Sequence, residues 1–117
     1  SHLMAPAAVS FKEFLASFEF QDADCPVITN VDAQPTQTAE QLHQKLAQQI
    51  DHSVYWAQTM QYLAEELKVD TVIEFGPGKV LTGMMRKAYP NVNVLNVFDM
   101  TSLMESVEAL NSEAVAV

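Results

Sequence analysis

The stretch Thr71-Val-Ile-Glu-Phe-Gly-Pro-Gly-Lys-Val-Leu-Thr-Gly83 decides the fold. Its first five residues are mostly apolar and β-branched, which is typical of a buried strand. Gly76-Pro77-Gly78 ends that strand, and a helix is predicted from about Lys79 to Ala88, before Pro90. In α/β proteins, a strand that turns through glycines into a helix brings the backbone close to a ligand at the carboxyl edge of the sheet.

This glycine turn, residues 76–78, matches neither common phosphate-binding motif. A P-loop requires Ser or Thr after Gly-Lys, and here Val80 follows Lys79. The dinucleotide pattern G-x-G-x-x-G requires a glycine where this chain has Leu81. Gly76 is expected to allow a turn that a side chain would block. The helix behind the turn could offer its free N–H groups to an anion, and the alternative is an ordinary tight connection.

The rest of the chain alternates predicted helices with predicted strands. Helices are predicted over residues 10–18, from Thr38, from about Val54 and from Ser102, with Ser10 and Glu13, Thr38 and Gln41, and Ser102 and Glu105 as capping boxes. Further strands are predicted at Cys25–Val31, which should be buried, and at Asn91–Phe98, which should be covered on both faces. This alternation implies an α/β fold, a parallel sheet flanked by helices, with three visible strands.

Composition excludes several classes of function. The 117 residues carry a formal charge of −9, which argues against nucleic acid and against an anionic membrane surface as partners. Cys25 is the only cysteine, so no internal disulfide forms, and a small buried thiol in a reducing cytoplasm is expected. No histidine and carboxylate pair has a metal-ligand spacing, so no metal site is predicted.

Four short segments of the sequence form a set whose spacing along the chain is informative. They are Leu3-Met4-x-Pro6-Ala7-Ala8, Pro26-Val-Ile-Thr-Asn-Val31, Gln48-Gln-Ile50 through Val54-x-Trp56, and Glu74-Phe-Gly-Pro-Gly-Lys-Val-Leu-Thr-Gly83. Together they resemble the C-terminal part of malonyl-CoA:acyl-carrier-protein transacylases and related polyketide acyltransferases. The resemblance implies that residues 1–117 are the C-terminal segment of a hydrolase-like acyltransferase domain. It also implies that the ferredoxin-like subdomain and the nucleophile region are absent.

The resemblance implies a mechanism whose reacting side chains lie elsewhere. In the family, a serine in a Gly-x-Ser-x-Gly elbow attacks the malonyl thioester of coenzyme A, and a histidine serves as base and then acid. None of the seven serines here has that flanking pattern. The family's histidine precedes a Ser-x-Leu-Met context, which places it immediately before Ser1. His2 is spaced wrongly to replace it.

Some residues do match positions of the family. Gln49 matches a glutamine whose backbone carbonyl orients the catalytic histidine, as an aspartate does in a Ser-His-Asp triad. Val80 matches a position near the acyl pocket, and Gly76 and Gly78 would form part of the same substrate-binding wall. Malonyl-CoA is implied as a substrate, and no cofactor is implied.

Three of the six basic residues, Lys79, Arg86 and Lys87, fall where they can share one helix face. They could dock the acidic acyl carrier protein or coenzyme A phosphates, or Arg86 and Lys87 could simply complement a helix dipole.

Glu74 could look like an acid catalyst, but a role as partner for a backbone group or a basic side chain is favoured. His43 is expected to be solvated.

Two classes of function remain open at this stage. The first is part of an acyltransferase that moves malonyl from coenzyme A to the phosphopantetheine thiol of acyl carrier protein, in fatty-acid or polyketide synthesis. In that case the segment alone should be inactive, and the N-terminal part of the enzyme is a required partner. The second is a non-enzymatic binding module for carrier protein or phosphate built on the glycine turn.

His52, beside Asp51, is predicted to be a cap or a surface residue.

Overall fold

The computed structural model describes residues 2–115, and their side chains as far as residue 112. The chain divides into two compact units, residues 1–62 and residues 63–117. Ser1 lies outside the described residues. No helix among the described residues combines the length and the apolar character that crossing a membrane would require.

The first unit begins earlier as a helix than the sequence predicts. His2–Met4 form a 3₁₀ turn, and α1 then spans Ala5–Leu15. The predicted start at Ser10 is therefore wrong. Pro6 lies in the first turn, where its fixed φ and missing N–H suit a helix start. Leu15 is buried, whereas Phe14 and Phe18 are more than half exposed.

The predicted strand Cys25–Val31 is present only in part, and its predicted burial is wrong. Only Val27–Ile28, which form β1, have strand conformation, and they pair antiparallel with β2, Pro35–Thr36. The chain turns back because the Asp32 carboxylate accepts hydrogen bonds from the Thr29 hydroxyl and the Gln34 N–H, at 2.5 and 3.1 Å. Within residues 2–115, this hairpin is separate from the parallel sheet, which therefore has two strands rather than three.

Cys25 is exposed and not buried as predicted. It lies just before β1, outside the hairpin pairing, in a segment without helix or strand structure. The apolar run that suggested burial follows Cys25 but forms only a two-residue strand, and Val27 in it is 39% exposed.

Two helices complete the first unit. In α2, Ala39–Gln48, the Thr38 side chain accepts the Gln41 N–H at 3.3 Å, which confirms the predicted N-cap. α3 spans Trp56–Gln61, two residues later than predicted, and a π-helical turn follows at Tyr62–Glu66. Met60 in α3 is buried.

The second unit contains the parallel sheet that the sequence predicts. β3, Thr71–Phe75, pairs in parallel with β4, Asn93–Val97, so that Glu74 lies in register with Asn96. α4, Val80–Ala88, connects them, and α5 spans Met100–Val115. Both helices pack against β4. The predicted α/β arrangement is confirmed here.

The start of α5 differs from the prediction. Asp99 rather than Ser102 caps it, because the Asp99 carboxylate accepts the Ser102 N–H at 2.8 Å. The Ser102 hydroxyl in turn accepts the N–H groups of Phe98 and Asp99 at 2.9 and 3.0 Å. The two side chains therefore form a reciprocal capping box with Ser102 in the third helical position.

The buried apolar core is small for this chain. Its members are Leu15, Ala33, Ala47, Met60, Met85 and Val94. Large apolar side chains are exposed beside it, among them Phe75 and Val80 at 73% each and Met100 at 68%. Met84 and Met85, neighbours on α4, differ in burial, since Met85 is 3% exposed and Met84 is 38% exposed.

This difference in burial between Met84 and Met85 provides a matched pair of variants. We expect Met85→Ala to lower the free energy of unfolding by about 2–4 kcal/mol, because it leaves a cavity beneath α4. We expect Met84→Ala, one residue away on the same helix, to cost less than about 1 kcal/mol. Urea denaturation monitored by circular dichroism measures both. Equal losses for the two variants would contradict this packing.

Candidate functional site

The glycine turn has the backbone conformation that its sequence predicts. Gly76 has φ +118° and Gly78 has φ +87°, values that L-residues rarely adopt. A Cβ built on either glycine meets no other atom within 4 Å, so the requirement for glycine is conformational rather than steric. The Gly76 N–H donates to the Val97 carbonyl at 2.9 Å and extends the β3–β4 pairing by one residue. Val80 follows the turn and is exposed.

Glu74, the last residue but one of β3, holds the start of α4. Its Oε1 accepts the Thr82 hydroxyl at 2.7 Å, the Thr82 N–H at 3.0 Å and the Asn96 amide at 3.1 Å. Its Oε2 accepts the Leu81 N–H at 3.3 Å. One carboxylate therefore satisfies two N–H groups that the helix leaves free, and joins both strands to α4. The predicted role as partner for backbone groups is confirmed.

These hydrogen bonds lower the pKa of Glu74 below its ordinary value of 4.5. The largest cause is the bond from the Thr82 hydroxyl; burial opposes it, and bonds from the Thr82 N–H, the Asn96 amide and the Leu81 N–H add to the lowering. Glu74 is ionised at neutral pH and has the wrong protonation state for an acid catalyst.

The same network argues against an anion site at the start of α4. The Leu81 and Thr82 N–H groups that a phosphate would use are already bound to Glu74. A phosphate there would also meet the negative charge of that carboxylate. The hypothesis of a phosphate-binding module on the glycine turn therefore loses its physical basis.

The three basic residues do not form one uniform patch. Lys79, the N-cap of α4, places its ammonium 5.7 Å from the centroid of the Phe98 ring. Arg86 donates from Nη2 to the Val94 carbonyl at 3.3 Å. Both line a cleft of about 400 Å³ whose walls also carry Asp99 and Glu105.

Lys87 lies in the last turn of α4 and is exposed, and it is not part of the cleft wall. Arg86 shares that last turn. Both residues therefore also stand where they complement the dipole of the helix. Lys79 and Arg86 share the wall of the cleft, whereas Lys87 lies outside it.

Gln49 lies at the C-cap of α2, with φ −67° and ψ −20°. Its N–H donates to the Lys45 carbonyl at 3.1 Å. Within residues 2–115, no donor reaches its carbonyl oxygen. A carbonyl at a helix end has no partner inside the helix, so it is available to an outside donor. Gln49 belongs to the first unit and the glycine turn to the second.

His52 binds the helix end beside Gln49. Its Nδ1 lies 2.6 Å from the Gln48 carbonyl oxygen and 2.9 Å from Oδ1 of Asp51. Because a carbonyl can only accept, Nδ1 carries the proton and His52 caps the C-terminus of α2. The side chain remains 55% exposed. The prediction of a cap or surface role for His52 is confirmed.

The other two histidines have different roles. His43 is partly buried, not solvated as predicted, because its Nε2 lies 3.0 Å from the Leu15 carbonyl and its ring packs edge-on against Phe20. It thereby ties α2 to the end of α1. His2 is exposed in the 3₁₀ turn. No group of three His, Cys, Asp or Glu side chains in the described part of the chain could hold a metal ion.

Several serine hydroxyls are occupied by the backbone. Ser106 donates to the Asn96 carbonyl at 3.2 Å and Ser17 to the Phe14 carbonyl at 2.8 Å, while Ser102 serves the capping box of α5. These hydroxyls have structural roles, in agreement with the lack of a nucleophile elbow in the sequence.

Asn96 and Thr82 are the site residues that sequence reasoning missed. Asn96 is a polar residue inside an apolar strand, and its register with Glu74 places its amide beside the carboxylate. Thr82 is 1% exposed and lies eight residues after Glu74, in the first turn of α4. The available signal in the sequence was the pair Glu74 and Asn96, two polar residues at matching places in neighbouring parallel strands.

No protein-family model matches the chain. The malonyl CoA-acyl carrier protein transacylase of Synechocystis is 42% identical over 103 residues, 88% of this chain and 35% of that protein. Its crystal structure matches with a TM-score of 0.81, covering 90% of this chain and 36% of that one. A malonyl transacylase solved in complex with its type II polyketide acyl carrier protein matches with a TM-score of 0.78 and 34% identity, covering 92% of this chain and 34% of that one. The chain thus spans about a third of the length of the relatives it matches.

The hydrogen bonds of Glu74 make the free energy of unfolding depend on pH, and the lowered pKa of Glu74 gives the sign of that dependence. Since its pKa is lowered on folding, its stabilisation is fully present above the ordinary value of 4.5 and is lost as pH falls through the lower folded value. The unfolding free energy of the chain should therefore exceed that of Glu74→Gln most at neutral pH. The gap should narrow as pH falls below 4.5.

Urea titrations of both proteins from about pH 7 to about pH 3 measure this gap. The pKa of Asp99 and of Asp32 is also lowered in the folded chain, but both groups are present in both proteins, so their contributions cancel in the difference. A gap that stays constant across that range would show that the Glu74 charge does not hold α4.

Proposed function

We propose that this chain, which is homologous to about a third of the malonyl CoA-acyl carrier protein transacylases, is the C-terminal segment of such an acyltransferase. The complete enzyme would move a malonyl group from coenzyme A to the phosphopantetheine thiol of acyl carrier protein, in the cytoplasm. The observation that carries the proposal is the joint match of sequence and fold, at 40% identity and a TM-score of 0.81 over 90% of the chain.

The carbonyl of Gln49 would perform the chain's part in the chemistry. In the complete enzyme, a histidine removes the proton of the nucleophilic serine and becomes positively charged. A carbonyl that accepts the N–H of its second nitrogen fixes the tautomer and stabilises that charge. The position of Gln49 at the C-cap of α2, with a carbonyl that no described donor reaches, supports this role.

The serine and the histidine would come from the N-terminal part of the enzyme. The glycine turn and Val80 would supply part of the wall of the acyl pocket. The positive φ angles of Gly76 and Gly78 and the exposure of Val80 support such a role, because they present backbone and an apolar side chain at the carboxyl edge of the sheet.

Lys79, Arg86 and Lys87 would dock the acidic carrier protein. The relative whose structure contains its carrier protein supports a carrier protein as the partner class. Lys87 is the basic residue of the three with the fewest structural ties, because Lys79 lies over Phe98 and Arg86 binds the Val94 carbonyl. Exposed cations of this kind act mainly on the rate and specificity of encounter.

The 117-residue chain alone should transfer no malonyl group, because it lacks both reacting side chains. A chimera in which it replaces the matching third of the Synechocystis transacylase should transfer label from malonyl-CoA to carrier protein. The Synechocystis enzyme truncated by that third is the matched control and should be inactive. Transfer by the isolated chain, or a folded chimera without activity, would contradict the proposal.

Charge reversal in the chimera tests the docking role. We expect Lys87→Glu to raise the KM for carrier protein about tenfold while the KM for malonyl-CoA stays within a factor of about two. Lys68→Glu, an exposed lysine outside α4, is the control with equal charge change. Equal carrier KM values in the two variants would leave Lys87 with its role at the helix dipole only.

A further inference from the structure

We propose that His52 is a positioning residue for the Gln49 carbonyl, and through it for the histidine that the complete enzyme uses as base. This inference rests on the proposed function. It adds a side chain to an arrangement in which Gln49 contributes only backbone. The geometry that carries it is the contact of His52 Nδ1 with the carbonyl oxygen of Gln48 at 2.6 Å.

The Gln48 carbonyl and the Gln49 N–H belong to the same peptide plane. One edge of that plane is held by the Gln49 N–H, which donates to the Lys45 carbonyl at 3.1 Å. The other edge is held by His52, which donates to the Gln48 oxygen. A planar peptide that is bound at both edges cannot rotate. The direction of the following Gln49 carbonyl then depends on the φ and ψ of Gln49 alone.

Without His52, the last turn of α2 would have a weaker constraint. Terminal carbonyls lack partners within the helix, and helix ends fray when nothing caps them. The Gln49 carbonyl would then sample several directions, and a histidine that depends on it would lose its fixed orientation. An orienting hydrogen bond requires its acceptor to stay in place within a fraction of an ångström.

Asp51 keeps the imidazole in this role. Its Oδ1 lies 2.9 Å from the same Nδ1, so the proton of His52 is shared between a carboxylate and a carbonyl. Both acceptors favour the tautomer with the proton on Nδ1. The imidazole lies beside a cleft of about 450 Å³ between α1 and α2, whose other titratable or charged groups are Lys12, His43 and Asp51.

Asparagine offers a conservative replacement. Its Nδ2–H₂ group lies about as far from the backbone as the Nδ1 of histidine, so it can donate to the same carbonyl. His52→Asn therefore keeps a donor to the Gln48 carbonyl, and His52→Leu removes it.

The first test uses the isolated chain and the same two variants. Long-range proton–nitrogen NMR correlation at alkaline pH should show the proton of His52 on Nδ1. Hydrogen exchange of the Gln49 amide should quicken about tenfold in His52→Leu and return to within about twofold in His52→Asn. A proton on Nε2, or equal exchange in all three proteins, overturns the inference.

The second test uses the active chimera. His52→Leu should lower kcat about tenfold with little change in the KM for malonyl-CoA, and His52→Asn should restore it to within about threefold. The acid limb of the kcat/KM profile should move to lower pH in His52→Leu, because a misdirected carbonyl no longer stabilises the imidazolium of the base. A merely structural role for His52 would not move that limb.

The two proposals fail in different ways. An active chimera whose His52→Leu variant keeps its kcat and pH profile overturns the role of His52 and leaves the proposed function intact. An inactive chimera contradicts the proposed function, and the tautomer and amide exchange of the isolated chain then decide whether His52 holds the end of α2.

Discussion

The carboxylate of Glu74 is the constraint on which the second unit depends. It accepts from the Thr82 hydroxyl and N–H, the Leu81 N–H and the Asn96 amide, so both parallel strands and α4 share one charge. The turn must bring the start of α4 back over the end of β3, which requires the positive φ of Gly76 and Gly78. The exposure of Val80 at the edge of the sheet follows from that geometry. A strand residue thus performs the work that an N-cap side chain usually performs.

The end of α2 presents the opposite polarity in the first unit. There the groups that a helix leaves free are carbonyls, and a proton donor rather than an acceptor is needed. His52 supplies it to Gln48, while the neighbouring carbonyl of Gln49 stays clear of the described donors. Each of the two helix ends thus fixes backbone groups in defined directions, and under the proposed function such preorganised backbone dipoles would serve acyl transfer in the complete enzyme.

Most of the second unit could be predicted from the sequence because its signals are local and agree with one another. The β-branched run before Gly76, the helix that ends before Pro90 and the next apolar strand all indicate a parallel pair. The predictions for the first unit were less accurate, and the reasons are physical. The apolar run at Cys25–Val31 indicated a buried strand, but the Asp32 carboxylate closes a tight turn that reverses the chain. The role proposed for Gln49 rests on family resemblance, since nothing in composition or periodicity distinguishes one helix-end carbonyl from another. The hydrogen bonds of His43 and Asn96 depend on tertiary neighbours, which the sequence alone does not place.

The central claim is that the carbonyl of Gln49 accepts a hydrogen bond from the histidine that acts as base in the complete enzyme. A crystal structure of the chimera, with the chain joined to the N-terminal part of the Synechocystis transacylase, measures that contact directly. The account predicts about 2.7–3.2 Å between the Gln49 oxygen and the Nδ1 of that histidine, with the N–H pointing at the carbonyl. A separation beyond about 4 Å, or a different acceptor on that nitrogen, would contradict it.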